Sequence, residues 1–462
     1  MDAAEDEERA MKPDSVRATT VCAIIASACV AAACGAGGGG TATPSLPLGR
    51  PSPLPSASAG PLPSPSVNPA LKIQHVVIIV QENRSFDNMF NGFPGADTAQ
   101  SGKMSNGQTV QLTSIHLDQG YDLRHRHFTW WMSWDQGKMD GFDIDRSPGN
   151  SPTFPYQYVS NSDTQPYWDL ASHYTIADDM FQSNTSGSYP AHLYLFSAQS
   201  DDISGNPTAL PWGCDAPPGT KVSLVGPNGT EQPGPFPCFS WPTLADNMNS
   251  QGMSWRYYSP QILTSGGIWN TPDSFSKIRY GPDWTRNVVS PETQVLNDIP
   301  AGQLAQVTWI VPSGANSDHP GSQSKTGPSW VASIVNAIGA SPFWSSTAIF
   351  VTWDDWGGWY DHVNPPQLDE MGLSFRVPLL VISPYARHGY VSHVQHEFGS
   401  ILHFTEENFG MPSLGRSDAR ADDLLDCFDF SQTPAPFVRI PAPLSAQWLV
   451  AHTHNSAPDS DF

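Results

Sequence analysis

Glu82 and Asn83 stand just beyond an apolar run, residues 76–80 (VVIIV), and Asp354 and Asp355 stand just beyond another, residues 348–352 (AIFVT). Uninterrupted β-branched runs read as strands buried on both faces of a parallel sheet. Open α/β sheets collect their ligands at the carboxyl ends of such strands. Carboxylate and amide oxygens bind hard cations. Two adjacent aspartates at the mouth of an apolar sheet repel each other, so a positive charge is expected between them. One divalent ion held by Glu82, Asn83, Asp354 and Asp355 meets that need. The all-oxygen set favours Ca²⁺, Mg²⁺ or Mn²⁺, with zinc left open. Taken singly, each pair also fits a solvated turn at a strand end.

Ser188 offers a nucleophile. It sits in the turn Gly187-Ser188-Tyr189-Pro190, and a helix is expected to begin at Pro190. A hydroxyl near a helix start that faces a cation is readily deprotonated, and helix N–H groups help to hold an anion. Ser183 and Ser186 are its nearby decoys, and in most proteins a serine in such a turn is turn chemistry alone. Histidines in loops that follow strands suit phosphate binding and proton transfer near neutral pH. His125, His319 and His393 occupy such loops, and the Gly357-Gly358 pair is expected to return Asp361 and His362 toward the same place. No GxSxG elbow surrounds Ser188, which disfavours an acyl hydrolase, and Ser400 stands where a zinc protease helix beginning at His396-Glu397 needs a second histidine.

These residues need a sheet to hold them. Runs at 76–80, 307–311, 348–352 and 378–382 read as buried parallel strands. Residues 329–338, apolar at Val331, Ile334, Val335 and Ile338, have helical spacing, as do residues 396–409. Residues 98–166 and 201–300 read as long loop-rich excursions. The pattern is α/β with a mostly parallel sheet. Trp353, Trp356 and Trp359, beside the two aspartates, read as packing, with a cage for a choline head group as the alternative.

The two ends of the chain have other jobs. Lys12 and Arg17 precede an apolar run at 18–33 that is too short for a confident membrane span and has the layout of a secretory signal. It closes on Ala33-Cys34-Gly35, which resembles a bacterial lipobox with Cys34 as the lipidated N-terminus; an ordinary signal peptide or an N-terminal anchor are the alternatives. Residues 1–34 are thus a signal segment and 35–67 a Gly/Pro/Ser-rich linker; residues 68–440 are the folded domain, and 441–462 a loosely ordered tail. The expected location is exported: a cell-envelope lipoprotein touching the membrane through Cys34, or a secreted or periplasmic protein. Export makes a Cys214–Cys238 disulfide plausible, leaving Cys427 buried. The net charge of −22, from 22 basic and 44 acidic residues, argues against nucleic acid and against a basic patch for anionic lipid.

Several motifs in one order carry a resemblance: ENRSFD from Glu82, KMDGF from Lys138, GSYPAH from Gly187, SDHP from Ser317, TWDDWGGWYDHV from Thr352, RVPLLVISPYAR from Arg376 and VSHVQHEFGSIL from Val391. The chain resembles the bacterial phosphoesterase family that contains haemolytic and non-haemolytic phospholipases C and a respiratory-burst-inhibiting acid phosphatase. The resemblance implies an alkaline-phosphatase-like α/β/α sandwich with long loop insertions, one divalent metal, and a hydroxyl nucleophile that forms a phospho-enzyme. By motif position it implies Glu82, Asn83, Asp354 and Asp355 as metal ligands and Ser188 as nucleophile, with His125, His319, His362 and His393 around the phosphate. The implied substrate is a phosphate ester, either a phospholipid or a small phosphomonoester. Ser188 departs from the threonine of the phospholipase branch's GPTxPN-type turn and lacks the proline before it, and His396 stands where the family often has tyrosine. The non-enzymatic alternative is a surface lipoprotein that kept the fold and lost catalysis; retention of four oxygen donors and the hydroxyl speaks against it.

Overall fold

The seven residues His75–Gln81 form strand β1 at the centre of the sheet, and Val76 to Ile79 have no solvent exposure. Each buried Val or Ile side chain contributes about 1.5–3 kcal/mol. The computed structural model describes residues 72–119, 122–145, 151–226 and 229–452; the signal segment, Cys34, the linker and the end of the expected tail lie outside them. Seven further strands complete the sheet: β2 (Thr175–Ala177), β3 (Trp255–Tyr258), β4 (Val288–Val289), β5 (Val307–Ile310), β6 (Thr347–Trp353), β7 (Leu379–Ile382) and β8 (Tyr390–Ser392). Their spatial order is β4-β3-β5-β1-β6-β7-β2-β8. All pairings are parallel except those of β7 with its neighbours β6 and β2.

Helices cover both faces. Ser188–Ser197 and Phe398–Phe409 lie on one: Phe196 packs on Trp309 of β5, and Phe404 packs on Phe350 of β6, each with ring centroids 5.1 Å apart. In register, Trp309 and Phe350 flank Ile78, so the three share a face. On the opposite face Tyr167, in helix Gln165–His173, meets Trp353 at 5.0 Å, and Gly327–Gly339 packs beside that helix. The molecule is an α/β/α sandwich with long loop insertions.

Three expectations change. Strand β7 is antiparallel, because residues 354–378 contain no crossover helix and bring the chain back from the edge it left. The stretch 201–300 is not only loop: β3 and β4 come from it, with aromatic rather than aliphatic residues filling β3. The first part of the expected loose tail is ordered. The Leu444 N–H donates to Ser329 Oγ at 3.2 Å, and helix Ala446–Ala451 buries Leu449 against the Gly327–Gly339 helix. Among the described residues no helix is long and apolar enough to cross a membrane.

Candidate active site and metal centre

Strands β1 and β6 pair in register from His75↔Thr347 to Gln81↔Trp353, so the residues that follow emerge side by side. The Asp354 N–H donates to the Gln81 carbonyl at 3.0 Å, and the Asn83 N–H donates to Asp354 Oδ1 at 3.0 Å. Asn83 takes a left-handed backbone (φ 59°), uncommon outside glycine. Gly357 permits the turn that faces it: a Cβ there would stand 2.0 Å from the Asn83 carbonyl oxygen. The Gly357 N–H in turn donates to Asp355 Oδ1 at 2.7 Å and fixes that carboxylate.

Ser188 opens the Ser188–Ser197 helix, with Gly187 as its N-cap. Its Oγ donates to Asp355 Oδ2 at 3.3 Å and lies 3.5 Å from Asn83 Oδ1. The decoys are engaged elsewhere: Ser183 Oγ accepts from the Phe398 N–H, and Ser186 Oγ donates to the Ser204 carbonyl. His125 Nδ1 donates to the Leu123 carbonyl at 2.7 Å, so the neutral ring accepts at Nε2, where Asn83 Nδ2 donates at 2.9 Å. His125 Nε2 is also 4.0 Å from Asp355 Oδ2. The rings of His319 and His125 are 6.3 Å apart, and the Gly321 N–H donates to His319 Nδ1 at 3.1 Å, leaving the proton of the neutral ring on Nε2.

The donors fit a cation. With its nitrogen on His125, Asn83 turns its oxygen toward Glu82 Oε2 at 3.1 Å and Asp354 Oδ1 at 3.2 Å, a cluster of acceptors only. Without an ion the amide would be better satisfied turned over, its nitrogen donating to both carboxylates. The tautomer of His125 favours the oxygen-inward orientation. So does Asp354 Oδ2, which is buried without a hydrogen-bond partner among the described residues. Three carboxylates with no solvent exposure, together with the Asn83 oxygen, are donors that could hold a metal ion.

Residues 73–412 match the sequence model of the Phosphoesterase family. The chain belongs to the phosphoesterase family. It is a hydrolase acting on phosphoric ester bonds. It is 28% identical over 432 residues to phospholipase C B of Mycobacterium tuberculosis, covering 79% of each chain. It is 27% identical over 443 residues to the non-hemolytic phospholipase C of Pseudomonas aeruginosa, covering 82% of this chain and 60% of that one. Among solved structures, a protein of the alkaline phosphatase superfamily from Vibrio parahaemolyticus is similar at TM-score 0.35 and 11% identity, covering 75% of this chain and 70% of that one.

In this phosphoesterase the fold brings together Glu82, Asn83, Asp354, Asp355, Ser188 and His125, with His319 beside them. His362 and His393 are engaged elsewhere. His362 Nδ1 lies 2.7 Å from Asp87 and its Nε2 3.2 Å from Asp97, while His393 Nδ1 lies 2.9 Å from Asp178. The Gly357-Gly358 turn does not deliver Asp361 to the cluster either, because Arg376 captures it at 2.8 Å. Trp353, Trp356 and Trp359 have no solvent exposure, so they pack and cannot form a head-group cage. His192 was not singled out from sequence. Its Nε2 lies 3.0 Å from Glu82 Oε1, and the signal was its position four residues after Ser188, on the same helical face. A cavity of about 240 Å³, lined by Arg124, His125, Arg126, Gly187, Asn206 and Glu231 among others, adjoins the site.

Proposed function

We propose that the protein is a metal-dependent phosphoesterase that works through a phospho-serine intermediate on Ser188. The observation that carries the reading is the Ser188 hydroxyl at a helix start, 3.3 Å from Asp355 Oδ2 and 3.5 Å from Asn83 Oδ1, beside the converging acceptors. A bound divalent cation supplies a lowered hydroxyl pKa and offsets charge on the transferring phosphoryl group. Asp355 Oδ2 takes the Ser188 proton as Oγ bonds to phosphorus. The ester P–O bond breaks opposite Oγ, and the leaving oxygen accepts a hydrogen bond from the His319 Nε2–H while it takes a proton from solvent. A water then attacks the phospho-serine and releases its proton to solvent, and the departing Ser188 Oγ takes its proton back from Asp355 Oδ2.

The relatives named phospholipase C support a phospholipid substrate; a small phosphomonoester, as for an acid phosphatase, is the second reading, supported by Arg124 and Arg126 in the lining of the adjoining cavity. The Cys214–Cys238 disulfide supports an exported location, in the envelope as a Cys34-anchored lipoprotein or as a secreted or periplasmic protein. The test is turnover of a chromogenic phosphomonoester, a chromogenic phosphocholine ester and phosphatidylcholine vesicles, each with and without chelator, for wild type and Ser188→Ala. We expect chelator to stop turnover and added divalent ion to restore it. Ser188→Ala should lower turnover on the order of 10⁴-fold or more, with melting temperature nearly unchanged. Chelator-resistant turnover would refute metal dependence, and near-wild-type rates in Ser188→Ala would refute the nucleophile.

A further inference from the structure

His192 stands one helical turn beyond Ser188, and both residues are buried. Its Nε2 lies 3.0 Å from Glu82 Oε1 and 3.8 Å from Asp354 Oδ2. Two donors that share an ion at about 2.1 Å each lie no more than about 4.2 Å apart. Both spans fall within that limit. One ligand atom from each of Glu82, His192 and Asp354 lies within 4.8 Å of the others. Asp354 Oδ2, with no hydrogen-bond partner among the described residues, is a second and independent sign of a ligand in this space.

A simple hydrogen bond accounts for less. The single Nε2 proton of His192 can serve Glu82 Oε1, but it then leaves the buried Asp354 Oδ2 unpaired, a costly state for a carboxylate. An ion between them satisfies both oxygens and uses the Nε2 lone pair of the other tautomer.

We propose that His192 is a nitrogen ligand of the cation, so that the centre joins its oxygen donors to one imidazole and selects a borderline transition ion over Ca²⁺ and Mg²⁺. This rests on the metal-dependent reading above. Imidazole suits Zn²⁺ and its neighbours and is a poor donor for the hard alkaline-earth ions.

The experiment uses the full chain, stripped with chelator, in wild-type, His192→Ala and His192→Gln versions. Binding of Zn²⁺, Mn²⁺, Mg²⁺ and Ca²⁺ is measured by calorimetry, and Mn²⁺-loaded samples are examined by pulsed EPR for nitrogen coupling. Wild type should bind Zn²⁺ at least about 10-fold more tightly than Ca²⁺ and show one directly coordinated imidazole nitrogen. Both variants should lose that coupling. His192→Ala should lose at least about 10- to 100-fold in Zn²⁺ affinity, the scale on which even supporting residues matter, with Mg²⁺ affinity changing far less. His192→Gln keeps a polar side chain and guards against a folding artefact, checked by circular dichroism. A Mn²⁺ centre without imidazole coupling, or unchanged Zn²⁺ affinity in folded His192→Ala, would overturn this proposal while leaving metal dependence standing. Wild type binding no divalent ion would overturn both.

Discussion

Asn83 depends on a neighbour that has no side chain. Its left-handed backbone and the Gly357 turn are packed so closely that a methyl group on Gly357 would overlap the Asn83 carbonyl, and Gly357 itself has a φ of 64°. Gly357→Ala therefore meets two costs, about 1–2 kcal/mol for the left-handed conformation and more for the overlap. The outcome we expect is a drop in stability of at least about 2 kcal/mol, together with weakened divalent-ion binding, because Asn83 and Asp355 shift together. Denaturant melts and calorimetry on the purified variant check both parts. A stable Gly357→Ala protein with wild-type ion affinity would mean that the turn is looser than its contacts indicate.

At the scale of elements, a buried charge cluster ties three segments around the site. Asp87 belongs to the short helix Phe86–Phe90, Asp361 to the turn after β6, and Arg376 to the approach to β7. Arg376 Nε donates to Asp361 Oδ1 at 2.8 Å, and His362 Nδ1 lies 2.7 Å from Asp87 Oδ2. Burial works against a charged His362, but the hydrogen bond and charge of Asp87, with Asp361 beyond, outweigh it and raise the pKa from 6.5 to about 9. A raised folded-state pKa means that the native protein binds this proton more tightly than the unfolded chain does. The stabilisation is therefore fully present below about pH 6.5 and is lost as pH rises to about 9. His362→Gln should cost about 1–2 kcal/mol at pH 6 and much less at pH 9.5. Paired denaturation curves at the two pH values measure the difference; equal losses would show that His362 acts through packing instead of charge.

At the scale of the molecule, the disulfide closes a loop that the sheet does not hold. Cys214 and Cys238 are 24 residues apart and bracket the short antiparallel ribbon 223–225 and 231–233. Closing a loop of that length stabilises by about 3 kcal/mol through the unfolded chain. Reduction, or replacement of both cysteines by serine, should lower unfolding free energy by about 2–4 kcal/mol. Denaturation with and without reductant gives the value, and no change would show that the loop is constrained without the bond. Cys427 is no part of this: it is buried, and its burial pushes the thiol pKa well up, so it should stay unmodified by a thiol reagent in the native protein.

Strand β1, the helix at 327–339 and the two pairs of oxygen donors were legible in the chain, because apolar runs and helical spacing are local signals and because a run of buried residues ending in acids is unusual. That Ser188 lies at a helix start was legible from its turn. The direction of β7 was not, since an apolar run is equally buried in either orientation. Strand β3 was hidden because its aromatic residues, Trp255, Tyr257 and Tyr258, lie inside a stretch otherwise full of turn formers. His362 and His393 follow motifs that suggest a phosphate site, yet nearby acids hold them, and which acid is nearest depends on how distant segments pack. His192 is the converse: its one local mark is its place four residues after Ser188, and only the in-register pairing of β1 with β6 brings Glu82 and Asp354 to its imidazole. Residue types and their local periodicity were thus determined by the sequence alone. Which side chains meet was decided by the tertiary structure, because contacts across a sheet depend on strand order and register, which no single segment encodes.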